Sequence, residues 1–536
     1  MMAAQIRCKI KNLHWSQWLG IAGLAALFFA LRWNSCDAPL IRDEGDFAYS
    51  AQLLIQGVAP YEHAFMQKPP MVIYSYALSN LLLPQAFWSA RLLAYLFVAM
   101  ATVLAGYVAR LEFGRGFALP TMWLMTPMVL LPGIEQFWAS VEMFQMLPVL
   151  ATIAIYCYSR RHGHKPKHWF AAAFFAVTAI LYKYTALPVL AFVFICWFVE
   201  ICRTVADRNS IWRCVIFAVA GTVAAALIEL GYFLIHDGGS RLWECTVLFN
   251  RHYVMSGPFG PADLLSRLKD FWSDWKILFF LPCIGLFLQN PRIWFWFGAL
   301  ISAFFATSMS IYGHYYIIVM PFLALLGAAG INVLASQLNK MFKPSPRLGG
   351  LLTVVAVLLV IHPDVPWLLC SPERFDELKW GGDSSEFNFV ADKVSQLSSP
   401  DDLVFIAGSE AQILYYAHRF SATRFALVYP LMIPGPDTLR YQREAIQDLE
   451  KHPPALIVFV VSPESWVRHP TTPPDFFNFL DEFLKRDYEL AGGYVKENGR
   501  EGHWSERLTV EEYKASNLLL YKRRFPATES KTEAPP

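Results

Sequence analysis

The stretch Ile41-Arg42-Asp43-Glu44-Gly45-Asp46-Phe47-Ala48-Tyr49 holds three carboxylates, and Gln67-Lys68-Pro69-Pro70 adds a lysine in the same interhelical region. A carboxylate that is ionised and within hydrogen-bond reach of a hydroxyl can act as a general base. Asp43 is the candidate, with Glu44 beside it. The competing role is local: an aspartate just before an amphipathic run caps the helix that follows, worth about 1 kcal/mol. A cap needs one side chain, so the adjacent Glu44 weakens that alternative. Lys68 stands directly before a proline-started helix, where a cation and free backbone amides together make an anion site. The phosphate could belong to a substrate or to a lipid headgroup reached by snorkelling.

Further polar residues stand at the ends of apolar runs: Arg91, Glu135, Glu142, Lys183 and His314, the last opening His314-Tyr315-Tyr316. Singly, each reads as a helix-end group. On the topology derived below, Asp43, Lys68, Arg91, Glu142 and His314 share one membrane face. A mixed acid–base cluster of that kind suits a reaction with a deprotonated hydroxyl and an anionic leaving group. Arg251, His252 and Tyr253 add a second polar group in another loop on that face, as gating or binding residues or as a mobile loop.

The elements that carry these residues follow from composition. Of 536 residues, 55% are hydrophobic and only 16% charged, against about 25% charged in soluble domains. A net charge of +2 gives no footprint for nucleic acid. Apolar runs near 17–33, 88–109, 117–132, 142–158, 169–182, 185–201, 214–235, 275–289, 291–310, 315–337 and 348–369 predict about eleven transmembrane helices. Basic residues (Arg7, Lys9 and Lys11; Arg110 and Arg115; Arg160, Arg161, Lys165 and Lys167; Arg203, Arg208 and Arg213; Lys340, Lys343 and Arg347) recur on alternate loops. That side is cytoplasmic by the positive-inside rule, which puts the N-terminus inside and the C-terminus outside.

Three parts result: 1–369, polytopic and helical, with outer loops about 34–87 and 236–274; 370–525, of mixed α/β texture; and 526–536, a polar tail expected to be disordered. In the first outer loop the apolar spacing predicts a helix over 44–55 ending at Gly57. A second helix from Pro69-Pro70 has a face of Met71, Tyr74, Leu78 and Leu81 suited to the membrane surface. In 370–525, strands are predicted at 403–408, 455–461 and 517–521, and helices at 410–418, 438–450 and 476–486, a small three-layer domain. No G-x-G-x-x-G and no P-loop occurs, so a nucleotide site is not indicated. The nine cysteines have no metal spacing. They read as free thiols, with a disulfide among Cys36, Cys245 and Cys370 as the alternative.

The Asp43-Glu44-Gly45 loop, Lys68-Pro69-Pro70, Ser89-Ala90-Arg91-Leu92, Ser140-Val141-Glu142 and His314-Tyr315-Tyr316 through Pro321 resemble, in order and spacing, the GT-C superfamily of membrane glycosyltransferases. More closely, they resemble bacterial relatives of protein mannosyltransferases and of the lipid A aminoarabinose transferase. The resemblance covers roughly 1–369. It implies a polytopic fold with two juxtamembrane helices, a polyprenyl-phosphate-linked sugar donor, and a glycan, lipid or protein acceptor in the cell envelope of a bacterial inner membrane. It implies Asp43 as base or acceptor-orienting group and Lys68 as donor-phosphate ligand, helped by Arg91 or His314. Glu142, Arg251 and His252 are expected toward sugar or acceptor. The aminoarabinose enzymes carry Glu before the lysine where this chain has Gln67, so a carboxylate ligand for a divalent metal is lacking there. The expected reaction is an inverting single displacement. A transporter or flippase of lipid-linked sugars is the rival reading; it would be expected to show internal repeats with Gly/Pro-broken helices in matching halves, and the sequence has no such symmetry.

Overall fold

The structure, a computed structural model, describes residues 15–33, 36, 38–84, 86, 88–131, 138–236, 239–255, 279–307, 313–371, 374, 385–496 and 502–524. Glu135, the basic residues Arg7, Lys9 and Lys11, most of the 236–274 loop and the 526–536 tail lie outside the described residues. The chain divides into two compact units. One comprises Met1–Ala38, Ala90–Leu230 and Phe259–Phe375; the other Pro39–Ser89, Gly231–Pro258 and Asp376–Pro536.

The first unit is helical. Among the described residues six helices are long and apolar enough to cross a membrane: Ser89–Phe113, Val141–His162, Tyr184–Thr204, Arg208–His236 (whose last turns extend into the second unit), Gly313–Met341 and Leu348–Leu369. Shorter helices occupy the other apolar runs: Trp15–Ala30, Ala118–Met128, Pro166–Tyr182, 279–285 and Ile293–Thr307. The chain is thus a membrane protein by its apolar helices, and six of the predicted spans reach full length among the described residues. Small residues allow close packing without a hydrophobic driving force. A Cβ at Gly330 would fall 1.9 Å from the Leu281 carbonyl oxygen, so the 279–285 and Met320–Met341 backbones touch there. Gln145 closes the end of Pro166–Tyr182, donating from Nε2 to the carbonyls of Ala179 (2.9 Å) and Lys183 (2.5 Å). Buried carbonyls at a helix end must find such donors.

The second unit is built on a five-stranded sheet of β1 (Val404–Ala407), β2 (Leu456–Val460), β3 (Tyr488–Val495), β4 (His503–Ser505) and β5 (Ser516–Arg523), in the order β1-β2-β5-β3-β4. β1 and β2 run parallel and the other pairs antiparallel. β1 lies at the edge of the sheet, yet it is buried at every position because both of its faces are covered. One face packs against Ser385–Leu397 and Gln412–Ala417 through Val390, Val394, Ile413 and Leu414. On the other, Phe405 meets Phe476 of Asp475–Asp487 edge to face at 6.2 Å.

Tyr49, Leu53 and Ala64 belong to that same core. The helix Arg42–Ile55 therefore packs on the C-terminal sheet layer. A Cβ at Gly45 would lie 2.5 Å from the Gln412 amide nitrogen, so only glycine fits at this approach. Arg42 donates to Glu410 Oε1 (2.7 Å) and to the Glu464 carbonyl (2.8 Å). The Leu40 amide donates to the Tyr416 hydroxyl (2.8 Å), and the Ser421 amide to that of Tyr49 (2.9 Å). Cys36, Cys245 and Cys370 are free thiols.

Candidate active site

In the second unit the helix carrying the acids begins at Arg42, and Ile41 is its extended N-cap. Glu44 Oε2 accepts the Ile41 amide at 3.3 Å, the reach-back arm of a capping box. Glu44 is completely buried, so its carboxylate serves the helix start. Asp43 lies inside the first turn, half-buried, and makes no side-chain hydrogen bond among the described residues. Its carboxylate is left available.

One turn on, Asp46 is 5% exposed and its Oδ1 has no hydrogen-bond partner among the described residues. Burial, then the charge of Asp43, pushes its carboxyl well above the usual carboxylate range, and Lys68 opposes the shift. Asp43, Asp46 and Lys68 therefore share one electrostatic neighbourhood. Tyr429, from the C-terminal part, joins it: burial and the charges of Asp46 and Asp43, with Tyr253 nearby, push its phenol upward.

Lys68 is fixed through its backbone, the carbonyl accepting the Tyr61 hydroxyl at 2.7 Å. The preceding Gln67 carbonyl accepts Asn250 Nδ2 at 2.7 Å. The 239–255 segment thus holds the turn that presents the lysine. Gln67 Oε1 is buried with no partner among the described residues. Pro70 is the N-cap of Met71–Leu82, and the first intrahelical amide bond runs from Tyr74 to Pro70 at 3.2 Å. The earlier amides are free to meet an anion. On this helix Leu78 and Leu81 are 47% and 66% exposed while Val72, Ile73 and Tyr76 are buried, so the apolar face with Met71 and Tyr74 is the uncovered one.

The segment bearing Arg251 and His252 is anchored by charge. Glu244 is buried; burial alone would raise its carboxyl, but Arg424 and Arg440 hold it below the usual range. Arg424 is in turn paired with Glu444 at 2.7 Å. Arg251 is exposed, whereas His252 lines a small cleft with Phe249, Gly435, Asp437, Thr438 and Tyr441.

In the first unit, Arg91 is fully buried and donates from Nη1 to the carbonyls of Ala38 (2.5 Å) and Cys36 (3.4 Å). Glu142 forms a buried ion pair with Lys183, whose Nζ lies 2.9 Å from the centre of the Tyr315 ring. His314 sits within electrostatic range of Glu142 and meets Trp138 edge to face at 5.1 Å. Glu142, Lys183, His314 and Tyr315 are thus one cluster, and Arg91 engages backbone carbonyls.

The structure therefore gathers Asp43 and Lys68 in one unit and Glu142 and His314 in the other. Asp46 and Tyr429 are additions. The three-residue spacing of Asp43 and Asp46 on a helix signalled the first; nothing local signals the second. Among the described residues no three His, Cys, Asp or Glu side chains are grouped to hold a metal ion. The Asp43–Asp46–Lys68 arrangement can accept a proton, receive sugar hydroxyls and neutralise a phosphate.

No family model matches the chain, and no curated protein matches it by sequence. Solved structures do match in fold. ArnT from Cupriavidus metallidurans in the apo state superposes with TM-score 0.57 at 14% identity, covering 94% of this chain and 98% of that one. The same protein bound to undecaprenyl phosphate gives TM-score 0.55 at 14% identity, covering 95% and 98%. The archaeal oligosaccharyltransferase AglB from Archaeoglobus fulgidus, in complex with an inhibitory peptide and a dolichol-phosphate, gives TM-score 0.52 at 12% identity, covering 92% and 75%. The chain has the GT-C fold.

Proposed function

We propose that the chain is a membrane glycosyltransferase. It moves a sugar from a polyprenyl-phosphate donor to an extracytoplasmic acceptor of the cell envelope, lipopolysaccharide or another glycan before protein. The observation that carries this reading is the juxtaposition of Asp43, Asp46 and Lys68 in a chain that shares its whole-length fold with a protein solved with undecaprenyl phosphate.

In this mechanism the acceptor hydroxyl attacks the anomeric carbon as Asp43 takes its proton. The bond from that carbon to the phosphate oxygen breaks, and the electron pair leaves with the polyprenyl phosphate. Lys68 and the free amides of Met71–Leu82 neutralise the developing charge. Attack opposite the leaving group inverts the anomeric carbon, with base and leaving-group assistance on opposite sides of the sugar. Asp46 orients sugar hydroxyls or the Asp43 carboxylate, and Glu44 keeps the helix start in place. Arg251, His252 and Glu142 serve the sugar or acceptor, and His314 serves the donor phosphate. Arg91 holds the backbone that enters the acidic loop.

The same reading assigns about eleven spans to a bacterial inner membrane, with the N-terminus cytoplasmic and the 370–525 part outside. The test is to incubate the purified chain in nanodiscs with a panel of polyprenyl-phosphate sugars and lipid acceptors. Free polyprenyl phosphate should form together with a new glycosidic bond. Lipid-linked sugar crossing a vesicle membrane with no new bond would refute the proposal.

A further inference from the structure

At the other end of the Val141–His162 helix, 18 residues and about 27 Å from Glu142, lies a second polar cluster in the first unit. It surrounds a cavity of about 240 Å³ lined by Leu111, Glu112, Arg160, Arg161, Asn290 and Arg292. Such a volume accommodates a phosphodiester group and several waters. The charge on its wall is uneven. The Glu112 side chain is 1% exposed. Its carboxylate accepts from Arg160 Nη1 (3.1 Å), Arg292 Nε (3.0 Å) and Trp296 Nε1 (3.2 Å), so it is neutralised and saturated.

The arginines are oriented but not exhausted. Arg160 Nε is shared by both oxygens of Glu200 (2.7 and 2.9 Å), and Arg292 Nη2 donates to the Tyr156 hydroxyl at 3.2 Å. Arg160 Nη2 and Arg292 Nη1 make no hydrogen bond among the described residues, and exposed Arg161 has no ion pair there. Three guanidinium groups against two carboxylates, Glu112 and Glu200, leave one net positive charge and unused donors around an open space. Forked donors of this kind match the several oxygens of a phosphate better than a single carboxylate does.

We propose that this cavity binds a phosphate group. It stands where the Ser89–Phe113 and Val141–His162 helices end and Ile293–Thr307 begins, the level at which phospholipid headgroups lie, on the face that loop charge assigns to the cytoplasm. The phosphate source is an anionic phospholipid or a soluble phosphate ion, and two arms separate them.

The delipidated full-length chain in maltoside detergent is examined by native mass spectrometry with phosphatidylglycerol or with diacylglycerol, which lacks the phosphate. Separately, inorganic phosphate is titrated while the thermal midpoint is followed, with chloride at equal ionic strength as control. A lipid site predicts retention of phosphatidylglycerol over diacylglycerol by about tenfold, and a soluble-ion site predicts a midpoint rise with phosphate alone. In either case Arg161→Gln, which disturbs no ion pair, should remove most of the effect. Arg292→Gln provides a second variant. No preference in either arm overturns the proposal, as does a preference that both variants leave intact.

Discussion

Arg42 Nη2 donates to Glu410 Oε1 at 2.7 Å, joining the first turn of the acidic helix to a residue 368 positions later in the chain. Glu410 Oε2 is held in turn by the Ser409 amide (2.7 Å) and the Ser465 hydroxyl (2.5 Å). The C-terminal sheet layer thereby sets where Asp43 stands. Glu410→Gln removes the charge-assisted component of the bond, worth about 1–2 kcal/mol. Sugar transfer should fall about tenfold with donor affinity nearly unchanged, as read from kcat and KM on the purified variant.

Gly45→Ala tests the same docking by volume. The added methyl would enter the space of the Gln412 backbone, and relieving such overpacking costs about 1–3 kcal/mol. The thermal midpoint should drop and transfer should be largely lost. Gly57→Ala, at a position open around its Cβ but with φ +77°, should cost about 1 kcal/mol through backbone strain and spare activity.

Asp46 makes a pH prediction. Burial and the Asp43 charge raise its folded pKa well above the ordinary 3.8. The folded state therefore binds more proton than the unfolded state above pH 3.8, and stability contributed by this group falls as pH rises through the window up to the folded value. Asp46→Asn should raise the thermal midpoint, and the gain should be larger at pH 8 than at pH 5. An equal effect at both pH values would contradict the assignment.

The Glu142–Lys183 pair separates folding from function. Lys183→Met strands a buried carboxylate at a cost of about 3–5 kcal/mol. Glu142→Leu combined with Lys183→Met should recover most of the thermal stability. If Glu142 serves sugar or acceptor, the double variant should fold without recovering transfer, which a thermal scan and an activity assay on one preparation decide.

Local pattern was enough to predict several elements. The helix predicted over 44–55 forms as Arg42–Ile55, and the C-terminal strands at 403–408, 455–461 and 517–521 form as β1, β2 and β5. The capping expectation for Asp43 missed by two residues: acids at neighbouring positions look alike in sequence, and which one turns back is settled by where the chain enters. β3 and β4 escaped because Gly492 and Gly493 dilute the strand signal and the register shifts at a bulge between Leu490 and Gly492. Tyr429 and Gln412 belong to the acidic helix's surroundings only through tertiary packing, which no single-sequence period encodes. Arg91, expected at the donor phosphate from charge and position, is fully buried, and its Nη1 donates to the carbonyls of Ala38 and Cys36.

The central claim is that Asp43 accepts the proton in sugar transfer, and Asp43→Asn in nanodiscs tests it most directly. Asparagine keeps the shape and removes the base. The proposal predicts a loss of transfer of about 10²–10⁴-fold, with a native thermal midpoint and unchanged retention of polyprenyl phosphate by Lys68. A folded Asp43→Asn variant that transfers sugar at the native rate would contradict it.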